Sequence, residues 1–291
     1  RPPSAAGSGE GGAAARREGA GIIEMKICCC TIAMRDEPLE SQLPKLSAAG
    51  YDGVEVWFKH VDGRSDGELD ALRDQARKLK LDIEVVAPYW WLTQTAELLE
   101  ETYQIAGRAI RAARRLGAPK IRTFTDSGPT GIGSDRATPD HWRTAILALR
   151  RVCGSAPDLR FVVETHEQTL ADTPESTERL MREAALPNLR VNFQPSRVFD
   201  LASYRRLRPW IEHMHVHNST AEGKGTWLDA GVYDMGSLIA AIARDGYSHS
   251  LSVEYCFKGA TWERIAAARA FVAKYVAIGR RSASAAPIAP P

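Results

Sequence analysis

Short apolar runs alternate with longer amphipathic segments along most of this 291-residue chain. Eight runs are rich in β-branched and aromatic residues, and a polar break follows each of them. The predicted strands are Met25–Thr31, Gly53–Phe58, Asp82–Ala87, Lys120–Thr125, Arg160–Thr165, Leu189–Phe193, Ile211–His217 and Ser250–Tyr255. The predicted helices between them include Leu39–Ala49, Leu69–Leu79, Ala96–Leu116, Trp142–Val152, Glu175–Ala185 and Ser237–Arg244. This alternation favours parallel strand pairing, and eight repeats predict a single (β/α)8 TIM barrel of the α/β class.

The alternating pattern covers residues 25–279, and both ends of the chain differ from it in composition. Residues 1–24 are mainly Arg, Pro, Gly, Ala and Ser, with too little apolar content to join a core and without the continuous apolar segment of a secretory signal. Residues 280–291 have a similar composition. We therefore predict a disordered N-terminal tail (1–24), a catalytic barrel domain (25–279) and a disordered C-terminal tail (280–291).

The net charge and the length of the apolar runs argue against two classes of partner. The formal net charge is only +2, and the Lys and Arg residues are dispersed among Asp and Glu, so a nucleic-acid partner is not expected. No apolar run approaches the roughly 20 residues that span a bilayer, so a membrane partner is not expected either. A small molecule is the expected substrate, and association into a homo-oligomer stays open.

The five cysteines do not form a disulfide framework or a metal cluster. Cys28, Cys29 and Cys30 are consecutive on the first predicted strand, where neighbouring side chains point to opposite faces, while Cys153 and Cys256 stand alone. We expect the triplet to be buried as small apolar residues. The absence of a disulfide pattern favours a reducing compartment, and we expect a cytoplasmic location.

Polar side chains stand at the carboxyl ends of the last four predicted strands. They are Glu164, Gln194, His215 and Glu254. In a TIM barrel, the apolar strand bodies are expected to fill the interior, while the carboxyl ends of adjacent strands meet at one face. Two carboxylates, an amide oxygen and an imidazole at that face could bind one cation. Such an oxygen-rich set suits Mn²⁺, with Mg²⁺ or Co²⁺ as alternatives, better than a structural zinc.

Several segments, taken in order, resemble the xylose-isomerase-like TIM barrel superfamily, whose members include sugar isomerases, sugar phosphate isomerases and epimerases, inosose and dehydroshikimate dehydratases, and apurinic endonucleases. The resemblance covers nearly all of residues 25–279. The segments are Met25-Lys26-Ile27, Ala49-Gly50-Tyr51-Asp52-Gly53-Val54-Glu55, Arg115-Leu116-Gly117-Ala118, Val163-Glu164-Thr165-His166, His213-Met214-His215-Val216-His217-Asn218 and Val253-Glu254.

The resemblance implies a metal site with ligands from strands five to eight. The family's Glu, Asp, His and Glu ligands correspond here to Glu164, Gln194, His215 and Glu254. The family usually has Asp followed three residues later by His, whereas this chain has Gln194 and Arg197. Gln offers a neutral carbonyl oxygen, and the Arg guanidinium favours an anionic or electron-rich substrate group.

A site of this composition predicts proton abstraction next to a carbonyl, with a divalent cation polarising the substrate oxygens. Glu164 and Glu254 are the candidate acid/base residues, and returning the proton gives isomerisation or epimerisation of a sugar, keto-sugar or polyol. Loss of a hydroxyl group instead gives a dehydratase or lyase acting on a keto-polyol or a 3-keto glycoside. A metal-free barrel that only binds carbohydrate or a partner subunit is the alternative from another class.

Further residues near the carboxyl ends of the strands are candidate substrate contacts. They are Arg197, His217, His166, Trp90, Trp91, His60 and Lys224. Aromatic rings at a barrel mouth can stack on sugar rings. Lys224 lies in a Gly-rich loop after strand seven, which could act as a lid.

Overall fold

Eight parallel strands form a closed barrel in the computed structural model, which describes residues 25–127 and 131–284. The barrel strands are β1 (Ile27–Cys30), β2 (Gly53–Trp57), β3 (Asp82–Ala87), β4 (Lys120–Thr123), β5 (Arg160–Glu164), β6 (Leu189–Phe193), β7 (Ile211–Val216) and β10 (Ser250–Val253). Two short strands, β8 (Asn218–Ser219) and β9 (Gly225–Thr226), form an antiparallel hairpin between β7 and β10. Parallel pairing of β10 with β1 closes the ring, and the prediction of a single TIM barrel is confirmed.

The helices surround this barrel. They are α1 (Leu39–Ala48), α2 (Asp66–Lys78), α3 (Ala96–Leu116), α4 (Pro139–Ser155), α5 (Pro174–Ala184), α6 (Leu201–Leu207), α7 (Met235–Arg244) and α8 (Trp262–Ser284). Six of them start after a Ser, Thr or Asp whose side chain accepts a hydrogen bond from the backbone three residues later, which satisfies an otherwise free N–H group. These caps are Ser65, Thr95, Thr138, Thr173, Asp200 and Asp234.

The last helix continues past the predicted end of the barrel domain. We placed that end at residue 279, whereas α8 runs to Ser284. The predicted tail of residues 1–24, and residues 285–291 of the C-terminal tail, lie outside the described part of the chain. Among the helices of residues 25–127 and 131–284, none combines the length and the apolar character needed to cross a bilayer.

The apolar core lies between the strands and the helices, and the barrel interior is different. Outward-facing strand residues such as Val54, Ile121 and Met214 belong to the main apolar cluster. The inward-facing residues include charged and polar side chains that meet across the ring: Glu55 on β2 contacts His213 on β7, although these strands are not neighbours. The expectation of an apolar interior is therefore wrong. Every second residue of a strand faces inward, and here those positions carry groups that satisfy one another.

The cysteine triplet is buried as expected. Cys28, Cys29 and Cys30 are at most 1% exposed, and burial raises the pKa of all three thiols. Cys153 is also buried, whereas Cys256, three residues after β10, is exposed. Strand alternation places Cys29 in the outer apolar cluster and leaves its two neighbours on the inner face.

A buried ion cluster occupies the amino-terminal end of the barrel. Lys120 Nζ lies 2.9 Å from Glu84 Oε2, and Lys26 Nζ lies 2.6 Å from Glu84 Oε1. Burial alone would raise the pKa of Glu84, but the two ammonium groups outweigh it and lower this pKa to about 2. The Glu84 carboxylate therefore holds β1, β3 and β4 together.

We expect Glu84→Gln to lower the free energy of unfolding by roughly 2–3 kcal/mol at pH 7, because it leaves the buried Lys120 ammonium without its anionic partner. The folded-state pKa of Glu84 lies below its unfolded value, so its contribution is complete above the unfolded pKa and is lost as the pH falls toward about 2. Urea unfolding of both proteins at pH 7 and at pH 3 tests this. An equal difference at the two pH values would contradict it.

Candidate active site

A cavity of about 880 Å³ opens at the carboxyl ends of the barrel strands. Its wall includes side chains that follow or end β3, β4, β5, β6 and β10. Among them are Tyr89, Arg122, Glu164, Gln194 and Glu254. Three of the four predicted metal ligands, Glu164, Gln194 and Glu254, therefore line a cavity of suitable size for a small polar ligand.

Side-chain oxygens of three predicted metal ligands, Glu164, Gln194 and Glu254, lie close to the Nδ1 atom of the fourth, His215. His215 Nδ1 lies 3.5 Å from Glu164 Oε2 and 3.2 Å from Glu254 Oε2. The ligand-capable atoms of Glu164, His215 and Glu254 all lie within 4.8 Å of one another. Gln194 completes the group, because its Oε1 atom lies 3.2 Å from the same His215 nitrogen.

The register of the strands places these residues at the same height along the barrel axis. Glu164 ends β5 and is paired with Asn192 on β6, two residues before Gln194. His215 on β7 is paired with Ser252 on β10, two residues before Glu254. The hydrogen bond from the Gln194 backbone N–H to Thr165 Oγ1, 2.8 Å long, fixes the chain just beyond β6.

The donor set fits a divalent cation. Ligand atoms around a cation with metal–ligand distances of about 2.1 Å are separated by roughly 3.0–3.4 Å in octahedral or tetrahedral geometry. The separations of 3.2–3.5 Å measured from His215 Nδ1 are close to this range. Two carboxylates, one amide oxygen and one imidazole are also the donor types that Mn²⁺ and Mg²⁺ accept.

Two buried charged residues that we did not predict contact the candidate ligands from inside the barrel. Arg122 on β4 and Glu55 on β2 are 1% and 0% exposed. Arg122 Nε lies 3.2 Å from both Glu55 Oε1 and Glu164 Oε2, and its Nη2 atom lies 4.0 Å from Glu254 Oε1. The guanidinium therefore lies among three carboxylates. Its Nη1 atom has no hydrogen-bond partner among the described residues.

The charges at this site alter the pKa values of its members. Burial alone would raise the pKa of Glu254, but the His215 charge, the hydrogen bond from His215 and the Arg122 charge outweigh it and lower this pKa well below its usual range. Burial would lower the pKa of His215, whereas the charges of Glu254, Glu55 and Glu164 raise it well above its usual range. The site thus strongly favours positive charge at His215 Nδ1, which is where a cation would bind.

Charge balance supports the same interpretation. Glu55, Glu164 and Glu254 carry three negative charges, and Arg122 carries one positive charge. A divalent cation bound to a neutral His215 makes this group electrically neutral. Buried charges are tolerated only when they are paired in this way.

Three of the seven predicted substrate contacts line the cavity. His217 is half-buried, and its Nδ1 atom has no partner among the described residues. His166 packs edge-on against Phe124, with ring centroids 5.3 Å apart. Arg197 is exposed at the rim, and its Nη2 atom donates to the carbonyl oxygen of Ala221, 3.0 Å away, in the β8–β9 loop.

The other four predicted contacts lie elsewhere. Trp90 is fully buried in the apolar core against Phe161, and Trp91 Nε1 donates to the carbonyl oxygen of Ser127. His60 packs beside Trp57 behind β2, with its Nδ1 atom 2.9 Å from Thr31 Oγ1. Lys224 is exposed in the hairpin loop, beside cavity residues but outside the wall that the described residues form. Position after a strand does not by itself aim a side chain into the cavity.

The sequence contained a signal for the two residues that we missed. Glu55 is the charged residue of the otherwise apolar strand Gly53–Trp57, and Arg122 is one of two charged residues in Lys120–Thr123. A charged side chain in such a run is rarely buried without a partner. The same reasoning that selected Glu164 could therefore have selected them.

Comparison with known proteins agrees with the barrel fold. The profile of the xylose isomerase-like TIM barrel family matches residues 43–275. The chain belongs to this family. A curated relative, a 3-dehydroshikimate dehydratase of Bacillus anthracis, is 26% identical over 210 residues, which are 67% of this chain and 72% of that protein.

Solved structures show the same fold. A probable 3-DHS dehydratase of Bacillus anthracis, involved in petrobactin synthesis, has a TM-score of 0.72 and 24% identity, covering 86% of this chain and 99% of that one. An L-ribulose 3-epimerase has a TM-score of 0.75 and 17% identity, covering 91% and 100%. A xylose isomerase-like barrel of Mycobacterium smegmatis in complex with magnesium has a TM-score of 0.68 and 16% identity, covering 88% and 97%.

Proposed function

We propose that this protein is a divalent-metal-dependent enzyme that removes a proton next to the carbonyl group of a polyhydroxylated ketone. The observation that carries the proposal is the convergence of Glu164 Oε2, Gln194 Oε1 and Glu254 Oε2 on His215 Nδ1 at the cavity. These four residues would hold the metal, which polarises the carbonyl and hydroxyl oxygens of the substrate when bound. Mn²⁺ is our first choice, and Mg²⁺ is supported by the magnesium complex of a protein with this fold.

Glu254 is the residue best placed to move the proton. Its carboxylate is 8% exposed and lines the cavity, so it is desolvated and can still reach a ligand. The carboxylate is ionised at neutral pH and can accept a proton, while the charges of His215 and Arg122 that lower its pKa reduce its basicity. Glu164 lines the same cavity from β5, and its Oε2 atom is shared with Arg122. We therefore assign Glu254 as the base and Glu164 as a ligand that can return a proton.

Dehydration is the outcome that we favour, with loss of a hydroxyl group β to the carbonyl. A relative that matches most of this chain is a 3-dehydroshikimate dehydratase. The cavity wall also includes two cationic groups, Arg197 at the rim and the Arg122 guanidinium. These groups suit a substrate that carries an anionic group in addition to its carbonyl.

Isomerisation or epimerisation is the second candidate. The observation that favours it is the presence of two carboxylates, Glu164 and Glu254, on the wall of one cavity, because the second can return the proton that the first removes. An L-ribulose 3-epimerase shares the fold.

Metal analysis tests the metal binding that both candidate functions require. After incubation with Mn²⁺ and desalting, we expect about one metal per chain, because four donors converge on one point. Less than about a tenth of a metal per chain would contradict the proposal and favour a barrel that only binds carbohydrate or a partner.

Product analysis in D₂O then separates the two reactions. The loaded enzyme is incubated with ketoses, with 3-keto glycosides and with cyclic hydroxy-ketones that do or do not bear a carboxylate. Release of water from a carboxylate-bearing hydroxy-ketone supports the dehydratase. Deuterium incorporation into a substrate that keeps all its hydroxyl groups supports the epimerase or isomerase.

A further inference from the structure

A continuous chain of hydrogen-bonded side chains runs through the barrel interior toward His215. Lys120 Nζ, paired with Glu84 near the amino-terminal end, donates to Ser250 Oγ at 2.7 Å. Ser250 Oγ lies 2.8 Å from His213 Nδ1, and His213 Nε2 lies 2.9 Å from Glu55 Oε2. The same Glu55 oxygen lies 2.8 Å from His215 Nε2. The chain thus ends on His215, whose Nδ1 atom lies beside the cavity-wall residues Glu164, Gln194 and Glu254.

Glu55 is the branching point of this chain. Its Oε2 atom accepts hydrogen bonds from the Nε2 atoms of two histidines, and its Oε1 atom accepts one from Arg122 Nε. It is completely buried, so solvent cannot replace any of these donors. Glu55 is therefore a fixed acceptor for three donors.

We propose that Glu55 is a positioning residue for the metal site: by accepting the Nε2–H of His215, it directs the lone pair of His215 Nδ1 toward Glu164, Gln194 and Glu254. This inference rests on the proposed metal-dependent function. An imidazole that donates one ring N–H can bind a metal only through the other nitrogen, and a carboxylate partner also makes that nitrogen more basic. Glu55 has a second effect, because its Oε1 atom holds Arg122 Nε and limits how closely the guanidinium can approach Glu164.

A second metal at Glu55 is the competing interpretation, because Glu55, His213 and His215 also bring ligand-capable atoms within 4.8 Å of one another. Two observations argue against it. The contacts of 2.8 Å and 2.9 Å are ordinary hydrogen bonds from N–H donors. Glu55, His213 and His215 are also each 0% exposed, so a metal held by all three would have no coordination position open to a substrate.

Glu55→Gln is the direct test, and Glu84→Gln is its matched control. All the neighbours of Glu55 are donors, so the new amide would place its own N–H₂ group against one of them and displace a histidine or Arg122. We expect the affinity for Mn²⁺, measured by isothermal titration calorimetry, to fall about 10–100-fold. Glu84→Gln removes another buried interior carboxylate that does not contact His215, and its affinity should stay within about twofold of the wild type.

A measurement on the unaltered protein covers the case in which Glu55→Gln does not fold. In ¹⁵N-histidine-labelled protein loaded with diamagnetic Mg²⁺, long-range ¹H–¹⁵N spectra should show His215 with its proton on Nε2. A proton on Nδ1 would overturn the inference, as would wild-type affinity in the Glu55→Gln variant or two metals per chain. Wild-type affinity in Glu55→Gln, or a second metal, would leave the proposed function intact as long as the wild type binds at least one metal. A wild-type protein that binds no metal would overturn both.

Discussion

Glu254→Gln is expected to lower turnover at least about 1,000-fold in whichever reaction the substrate panel identifies, since loss of a general base alone accounts for roughly 100–10,000-fold. The amide keeps the size and one oxygen of the carboxylate but cannot accept the proton. The nearly buried Glu254 also contributes negative charge beside His215 Nδ1, 3.2 Å away. The measurement is the single-turnover rate at saturating Mn²⁺, together with the metal content of the variant.

The metal content distinguishes the two roles of Glu254. A variant that retains about one metal per chain and has lost activity identifies this carboxylate as the base. A variant that loses both shows that its charge is needed to hold the metal. Glu263→Gln, an exposed residue in the first turn of α8, serves as the control and should leave the rate unchanged. Full activity in Glu254→Gln would mean that Glu164 removes the proton and that our assignment is wrong.

The sequence was sufficient to predict the barrel and the proximity of the candidate ligands. All eight barrel strands occur where the apolar runs predicted them, and β3 (Asp82–Ala87) and β6 (Leu189–Phe193) have the predicted bounds. Strand identity depends on local features such as β-branched residues and flanking turns, which a single sequence contains. The carboxyl ends of parallel strands must meet at one face, so Glu164 and Glu254 could be placed together although 90 positions separate them.

Contacts across the barrel interior could not be obtained in this way. Glu55 meets His215 from β2 to β7, and Arg122 meets Glu55 from β4 to β2. None of these strand pairs is adjacent in the ring, so strand pairing alone does not bring the residues together. Side-chain length and tilt decide which groups meet there, and the periodicity of a sequence contains no such information. The same limit explains Trp90, which follows β3 but turns into the core.

Gln194 and Arg197 stand where the resemblance described above led us to expect an Asp and a His. Gln194 keeps an oxygen 3.2 Å from His215 Nδ1, so a neutral donor stands where we expected a charged one. Arg122 does not restore the negative charge that an Asp would supply. Its guanidinium instead neutralises one of the three remaining carboxylates. With a neutral Gln194, one guanidinium and one divalent cation balance the site. An Asp at position 194 would leave it with an excess negative charge.

This balance predicts a large effect of replacing Arg122. Arg122→Met leaves Glu55, Glu164 and Glu254 buried without their guanidinium, and we expect the metal-free protein to lose about 3–5 kcal/mol of unfolding free energy at pH 7. The loss should be smaller at pH 5, because protonation of a carboxylate relieves the repulsion among the three. Chemical denaturation in the presence of chelator at both pH values measures this dependence.

Metal should rescue the same variant more than it stabilises the wild type. Without the guanidinium 3.2 Å from Glu164 Oε2, a divalent cation has no internal competitor, so the rise in melting temperature on adding Mn²⁺ should be larger in Arg122→Met. Lys120→Met provides the matched control, since it removes the other buried cation of β4, which pairs with Glu84 instead. That variant should lose stability yet show the wild-type response to Mn²⁺. An equal response in all three proteins would mean that Arg122 and the metal act on different carboxylates, and the charge balance that links Gln194 to Arg122 would be wrong.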